Sequence, residues 1–326
     1  MLSFSPSSSR SLATRAALCS ACLLPAAAGA RLYDGAPVVA VQDRLFLHLE
    51  SGPAPELWGG TIEVLAESDA TAAYVVPFTG ATATTEPWTE PTVTVFGAKG
   101  PVCSAKLEKP VVLIRFDEES SEGERSPADR DATIARAKTR AADAALALPL
   151  TPVGACEGAL YAVHPGRVPS PLTLSPADAS LRKRALEQFR ALPFSRAQEA
   201  PYAQWRAGQP AEANAPERWE AAAGAPGVQL LEGSGRKYVV VSVVDDQGCG
   251  DFFRANATVV FALEGKALRP LTNPVRPPEG ITVRAAADID SDGVPELFSW
   301  DGILRATSAP NEQRLITAPP SYFCPC

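Results

Sequence analysis

The spacing of hydrophobic and polar positions changes twice along the chain and divides it into three regions. In residues 31–117, short runs rich in Val, Ile, Thr and aromatic side chains recur between turn-forming clusters. This pattern predicts strands at 37–41, 45–49, 61–65, 73–77, 92–96 and 111–116. The spacers Ser51-Gly52-Pro53, Gly59-Gly60 and 97–101 carry turn chemistry, and 92–96 with 102–106 reads as a hairpin across the last of them.

From residue 118 the strand pattern is lost. Residues 118–130 are polar and acidic and read as an exposed loop. Residues 129–148 are Ala-rich with Arg and Lys interspersed, which predicts a helix on intrinsic propensity. Ile134, Ala137, Ala141 and Ala145 would be its buried stripe, and Pro149 and Pro152 would end it. A strand at 158–164 follows. Ser175-Pro176-Ala177-Asp178 then reads as a helix start, with Ser175 as the cap, Pro176 at the first helical position and Asp178 as the capping-box acid. Leu181, Ala185, Leu186, Phe189 and Leu192 recur at helical spacing until Pro193. Residues 196–226 hold four prolines and read as a helical connector tacked onto a core by Trp205 and Trp219.

The strand pattern returns at Arg236. Residues 238–244 contain five valines, which predicts a strand buried on both faces. A turn at 245–251 and a return strand at 258–263 complete that hairpin, and further strands are expected at 281–285, 296–300, 304–306 and 315–317. The fold class expected is α+β, β-rich in its N-terminal and C-terminal parts with a helical middle. The expected division is a leader at 1–30, a β-rich domain with one Ala-rich helix at 31–170, a helical, Pro-rich connector at 171–235, and a β module at 236–326. No motif repeats at a fixed period, so a propeller is not expected.

Between two of the expected C-terminal strands lies Asp288-Ile289-Asp290-Ser291-Asp292-Gly293-Val294-Pro295-Glu296. Carboxylates at alternate positions around a glycine turn supply the oxygens that a hard cation requires. An EF-hand loop needs a bidentate Glu at its twelfth position, where this chain has Ser299, and its flanks should be helices. Ala287 to Gly293 and Pro295-Glu296-Leu297 instead resemble the short calcium loops of FG-GAP and VCBS-type repeats, which sit between strands. The resemblance covers 281–300. It implies Asp288, Asp290, Asp292 and Glu296 as side-chain ligands of a structural calcium ion and Val294 as a backbone ligand. Glu296 replaces the usual Asp of that family, and the motif occurs once where the family has tandem copies.

The ends and the composition narrow the class. Arg10 and Arg15, the apolar run 16–28 and Ala28-Gly29-Ala30 form a signal-peptide pattern, with a mature chain expected from Arg31. The run is shorter than the roughly 20 residues needed to span a bilayer. Cys19 and Cys22 lie in it without the leucine of a lipoprotein signal, so lipid anchoring is not expected. The net charge of −7 becomes −9 without the two leader arginines, which argues against nucleic acid as a partner. Hydrophobic residues make up 46 %, ample for a core.

Cys103, Cys156, Cys249, Cys324 and Cys326 follow the leader, and export makes disulfides the default. Two bridges among five cysteines allow fifteen arrangements. The favoured one joins Cys103 to Cys156, and Cys249 to Cys324 or Cys326.

Catalytic chemistry has few candidates. The two histidines are His48 and His164, and no Cys or His spacing suits zinc. Gln247-Gly248-Cys249-Gly250 after the valine run faintly resembles the Cys strand of caspase-like peptidases, with His164 as the partner. Pro165 replaces the expected glycine, and the separation of 85 residues exceeds the roughly 50 of that family. Gly233-Ser234-Gly235 reads as a turn and lacks the Lys of a phosphate loop. The function expected is an exported, non-catalytic binding or structural protein of the envelope or medium, with a protein or carbohydrate partner. A secreted hydrolase is the alternative.

Overall fold

The computed structural model describes residues 35–67, 71–80, 88, 90–117, 134–135, 138, 144–164, 167–209, 215–222, 224–244, 253, 256–299, 302–309 and 314–317. Among them the fold is mostly β, with two nine-stranded antiparallel sheets and two bounded helices. It is not a propeller.

The first sheet holds β1 (Gly35–Val41), β2 (Arg44–Ser51), β3 (Glu63–Glu67), β4 (Thr71–Pro77), β5 (Thr92–Gly97), β6 (Gly100–Leu107), β7 (Val111–Asp117), β8 (Ala144–Val153) and β9 (Tyr161–Val163). Its order is β2-β1-β9-β5-β6-β8-β7-β4-β3, and β8 also pairs with β2. That extra pairing closes six strands into a barrel. One edge of β8 runs along β2. Its other edge is shared, with Ala144–Ala147 on β7 and Leu150–Val153 on β6. Cys103 of β6 and Cys156 beyond β8 form the disulfide among the described residues, with Cα atoms 5.2 Å apart.

The second sheet holds β10 (Ser170–Pro176), β11 (Gly227–Gly233), β12 (Arg236–Val243), β13 (Ala257–Glu264), β14 (Ala267–Pro270), β15 (Ala285–Asp288), β16 (Glu296–Phe298), β17 (Gly302–Arg305) and β18 (Arg314–Thr317). Its order, β14-β13-β12-β11-β10-β15-β16-β17-β18, stays open. Helices α1 (Ala179–Ala191) and α2 (Pro193–Gly208) connect β10 to β11. Leu181, Ala185 and Phe189 of α1 pack with Val239, Val241 and Val243 of β12, while Tyr238 and Val240 belong to a second cluster with Leu172 and Leu297. Both faces of β12 are therefore covered, which is why its valines run without polar alternation.

The two sheets share a core. Ala285, Ala287, Phe298 and Ile303 of the second sheet cluster with Leu47, Val95, Leu146 and Tyr161 of the barrel. Tyr161 stacks between Phe96, at 5.2 Å between centroids, and Phe298, at 4.0 Å. The alternate residues Ala286, Leu297 and Leu304 face the other cluster.

Several expectations are corrected. The Ala-rich helix does not reach Leu148, because Ala144 onward is β8, buried without a break through Leu150. Small side chains suit a strand pressed between two others inside a barrel, and that packing overrides alanine's helical propensity. Pro149 and Pro152 do not stop a helix; they sit in β8 opposite Phe46 and Ala105. Ile134 is buried on helical backbone, whereas Ala137 and Ala141 lie outside the described residues. Ser175 does not cap α1. It pairs with Leu230 in β10, and Asp178 caps instead, its side chain accepting from the Leu181 N–H at 2.8 Å. The stretch expected as a connector contributes β10 and β11 to the sheet as well as both helices. The strand before the acidic loop runs from Ala285 to Asp288, later than expected. The loops at 118–130 and 245–251, and Cys249, Cys324 and Cys326, lie outside the described residues.

Candidate metal centre

The acidic nonapeptide joins β15 to β16, two neighbouring antiparallel strands in which Ala287 pairs with Glu296. Asp288 ends the first strand and Glu296 begins the second, both buried. Ile289 points into the barrel core, and its Cδ1 would stand 2.6 Å from any Cβ at position 35, so Gly35 makes the room for it. Ser291 and Gly293 take positive φ of 60° and 84°, which folds the chain back sharply. Tyr238 of β12 donates its hydroxyl to the Gly293 carbonyl at 2.8 Å and ties the loop to the sheet.

Backbone N–H groups bind the carboxylates in turn. Ile289 donates to Glu296 Oε2 at 3.0 Å, Gly293 to Asp288 Oδ2 at 2.9 Å, Asp292 to Asp290 Oδ1 at 3.3 Å and Val294 to Asp292 Oδ1 at 2.7 Å. Asp288, Asp290 and Glu296 each bring one oxygen to within 4.8 Å of the others. Asp292 stands outside that trio and is the most exposed of the four acids. The second oxygen of Asp288, Oδ1, is buried without a hydrogen-bond partner.

Two arginines that the sequence reading missed complete the site. Arg305 lies directly opposite Glu296 across β16 and β17. Its guanidinium reaches Asp290 Oδ2 at 3.3 Å, Glu296 Oε1 at 3.7 Å and Asp292 Oδ2. Arg236, at the start of β12, stands 3.7 Å from Asp288 Oδ2. Four carboxyl groups thus face two guanidinium groups, and with all four ionised the excess negative charge would equal that of one divalent cation. The only signal for Arg305 was its register with Glu296, which no sequence pattern displays.

Burial acts on the acids. It pushes Glu296 up to about 8; Asp290 and Asp292 add to this, while the Ile289 N–H and Arg305 oppose it. Burial also raises Asp292, against the Val294 N–H and the Arg305 charge. A carboxyl trio of this kind, once deprotonated, can hold a hard cation such as calcium through oxygen.

The catalytic candidates lie elsewhere. His48 is buried on β2, on the face away from Leu47 and Leu49, and burial lowers it to about 4. His164 is half-buried at the end of β9 beside Trp88, with ring centroids 6.1 Å apart. A cavity of about 670 Å³ between α1, α2 and the turn at Trp219–Ala221 is lined by Arg190, Tyr202, Arg206, Trp219 and Glu220, and by neither histidine. Arg190 pairs there with the buried Glu220 at 2.6 Å. No helix among the described residues is long and apolar enough to cross a membrane.

The fold and the site together define a mostly β protein with an acidic strand-to-strand loop. Comparison with family profiles, with curated proteins and with solved structures finds no match for the chain.

Proposed function

We propose that the chain is an exported, non-catalytic binding or structural protein in which residues 288–296 hold a calcium ion as a staple between β15 and β16. The observation that carries this reading is Asp288. A buried carboxylate oxygen without a partner, beside two more carboxylates at ligand spacing, is costly unless a cation or donor satisfies it. The signal-peptide pattern and the disulfide between Cys103 and Cys156 support the export part. Asp288, Asp290 and Glu296 are the ligands best supported by the geometry. Asp292 and the Val294 carbonyl complete the set that the FG-GAP and VCBS resemblance implies. A protein or a carbohydrate of the envelope or medium is the partner class that suits such a chain.

The Arg305 ion pairs favour a second reading, a loop whose charge is closed by arginine and which takes no metal. Melting of the full chain, stripped with chelator and then returned to millimolar calcium, separates the two. A structural site of this class binds at roughly 10⁻⁴–10⁻³ M. At about ten times its dissociation constant the ion adds about 1.4 kcal/mol. That corresponds to an upward shift of about 2 °C for a chain of this size. The shift should vanish in Asp288→Asn. An unshifted wild-type melt leaves the arginine-closed turn.

A further inference from the structure

The charges around the loop are not equivalent, and the difference bears on how an ion enters. This step rests on the calcium reading above. Arg236 approaches Asp288 from outside. Its side chain is 52 % exposed, and it faces the oxygen that already accepts from Gly293, leaving the buried Oδ1 untouched. Arg305 is 19 % exposed, and its three guanidinium nitrogens are spread over Asp290, Asp292 and Glu296. Two of those three acids, Asp290 and Glu296, belong to the trio at ligand spacing. Arg305 thus already pairs with two of the three acids that would bind the ion, while Asp288 faces Arg236.

We infer that Arg305 is a resident counter-cation that must leave the carboxylates before calcium can enter, and that it thereby sets the affinity of the loop. A guanidinium and a divalent ion cannot share Asp290 and Glu296 at these distances without strong like-charge repulsion in a half-buried site. Arg305 is the last residue of β17, and its release needs a change of side-chain rotamer only. The metal-free protein avoids four mutually repelling carboxylates, and the site opens only when calcium outcompetes the tethered charge.

The test uses the full chain, calcium alone and two readouts. Calorimetric titration compares wild type, Arg305→Gln and Arg236→Gln. Removing the competitor should tighten calcium binding by about tenfold or more. The same charge change at the more exposed Arg236 should alter it by less than about threefold. Arginine labelling with hydroxyphenylglyoxal, mapped by mass spectrometry on wild type, should find Arg305 protected without calcium and labelled severalfold faster with it. Binding by Arg305→Gln alone, with none by wild type, overturns the calcium reading and leaves Arg305 as the charge that closes the turn. Equal affinities, or Arg305 labelling unchanged while calcium binds, overturns the inference and leaves the calcium loop standing. Calcium binding by neither wild type nor Arg305→Gln removes both.

Discussion

The first sheet, six of whose strands close into a barrel, and the second sheet hold nine antiparallel strands each, yet they surround their buried ionisable groups differently. The barrel closes through β8, which is shared among β2, β6 and β7, and it holds His48 as a neutral side chain. The second sheet stays open and gathers four carboxylates at one strand junction, with arginines from β12 and β17 against them. His48 lies on the face of β2 away from Leu47 and Leu49, opposite Ala147 of β8, where burial disfavours its charge. In the second sheet the register of β16 and β17 sets Arg305 opposite Glu296, so burial there comes with an opposite charge beside it.

The largest test breaks the contact that joins the two regions. Phe298 belongs to β16 but packs in the barrel's core cluster, stacked on Tyr161. Phe298→Ala should cost about 3–5 kcal/mol, the range for removing a large buried aromatic. Scanning calorimetry should show the single transition of the parent splitting in two, because the core cluster shared by both sheets loses its largest member from β16. A single, little-shifted transition would mean that the sheets do not depend on this contact.

How much of this was legible in the sequence depended on whether an element was specified locally. The valines of β12 could be read because a strand covered on both faces needs no alternation, and both of its faces are covered. The stripe of α1 showed in Leu181, Ala185 and Phe189, whereas its cap was misplaced because Ser175 is taken by pairing with Leu230. β8 was illegible, because its alanines favour helix in isolation and become strand only between barrel neighbours. The acidic loop was visible as a spacing of aspartates. Arg305 was not, since only the register of β17 on β16 brings it to Glu296.

The next test sharpens the contrast through pH. Burial, with Arg115 adding and a hydrogen bond to the Glu50 backbone opposing, lowers His48 from 6.5 to about 4 in the fold. Between those values the unfolded chain binds the proton and the native chain does not, so stability is intact above pH 6.5 and is lost as pH falls toward 4. The loss should be on the order of 3 kcal/mol. Glu296 titrates in both proteins, so the wild-type urea midpoint measured relative to that of His48→Gln should fall as pH drops across that range. Parallel curves for the two would remove His48 as the cause.

The acidic loop should give the opposite slope, of which the part above pH 6.5, where His48 no longer titrates, is the smaller effect. Burial raises Glu296 from 4.5 to about 8, so in metal-free protein the native state holds a proton that the unfolded chain releases. Stability from this group is full below pH 4.5 and falls as pH rises toward 8. From pH 6.5 upward His48 no longer contributes, and the remaining decline should be about 2 kcal/mol. Glu296→Gln should flatten that limb. Saturating calcium should flatten it too, because the ion binds the deprotonated carboxylate and offsets the cost of ionising it. A wild-type curve that rises above pH 6.5 without metal would contradict the assignment.

The smallest effect concerns the seam itself. Tyr161 lies between Phe96 and Phe298 with its hydroxyl buried and unpartnered, and burial raises that hydroxyl well above the usual range for tyrosine. A buried donor left unmade costs stability, whereas replacing it with an apolar group of the same shape does not. Tyr161→Phe keeps both ring contacts and removes only the unpaired group. It should therefore be neutral or stabilising by up to about 1 kcal/mol, where Phe298→Ala is strongly destabilising at the same stack. The denaturant midpoint decides between the alternatives. A clear loss of stability in Tyr161→Phe would show that the hydroxyl has a partner in solution, and that the seam between barrel and sheet is held by more than ring packing.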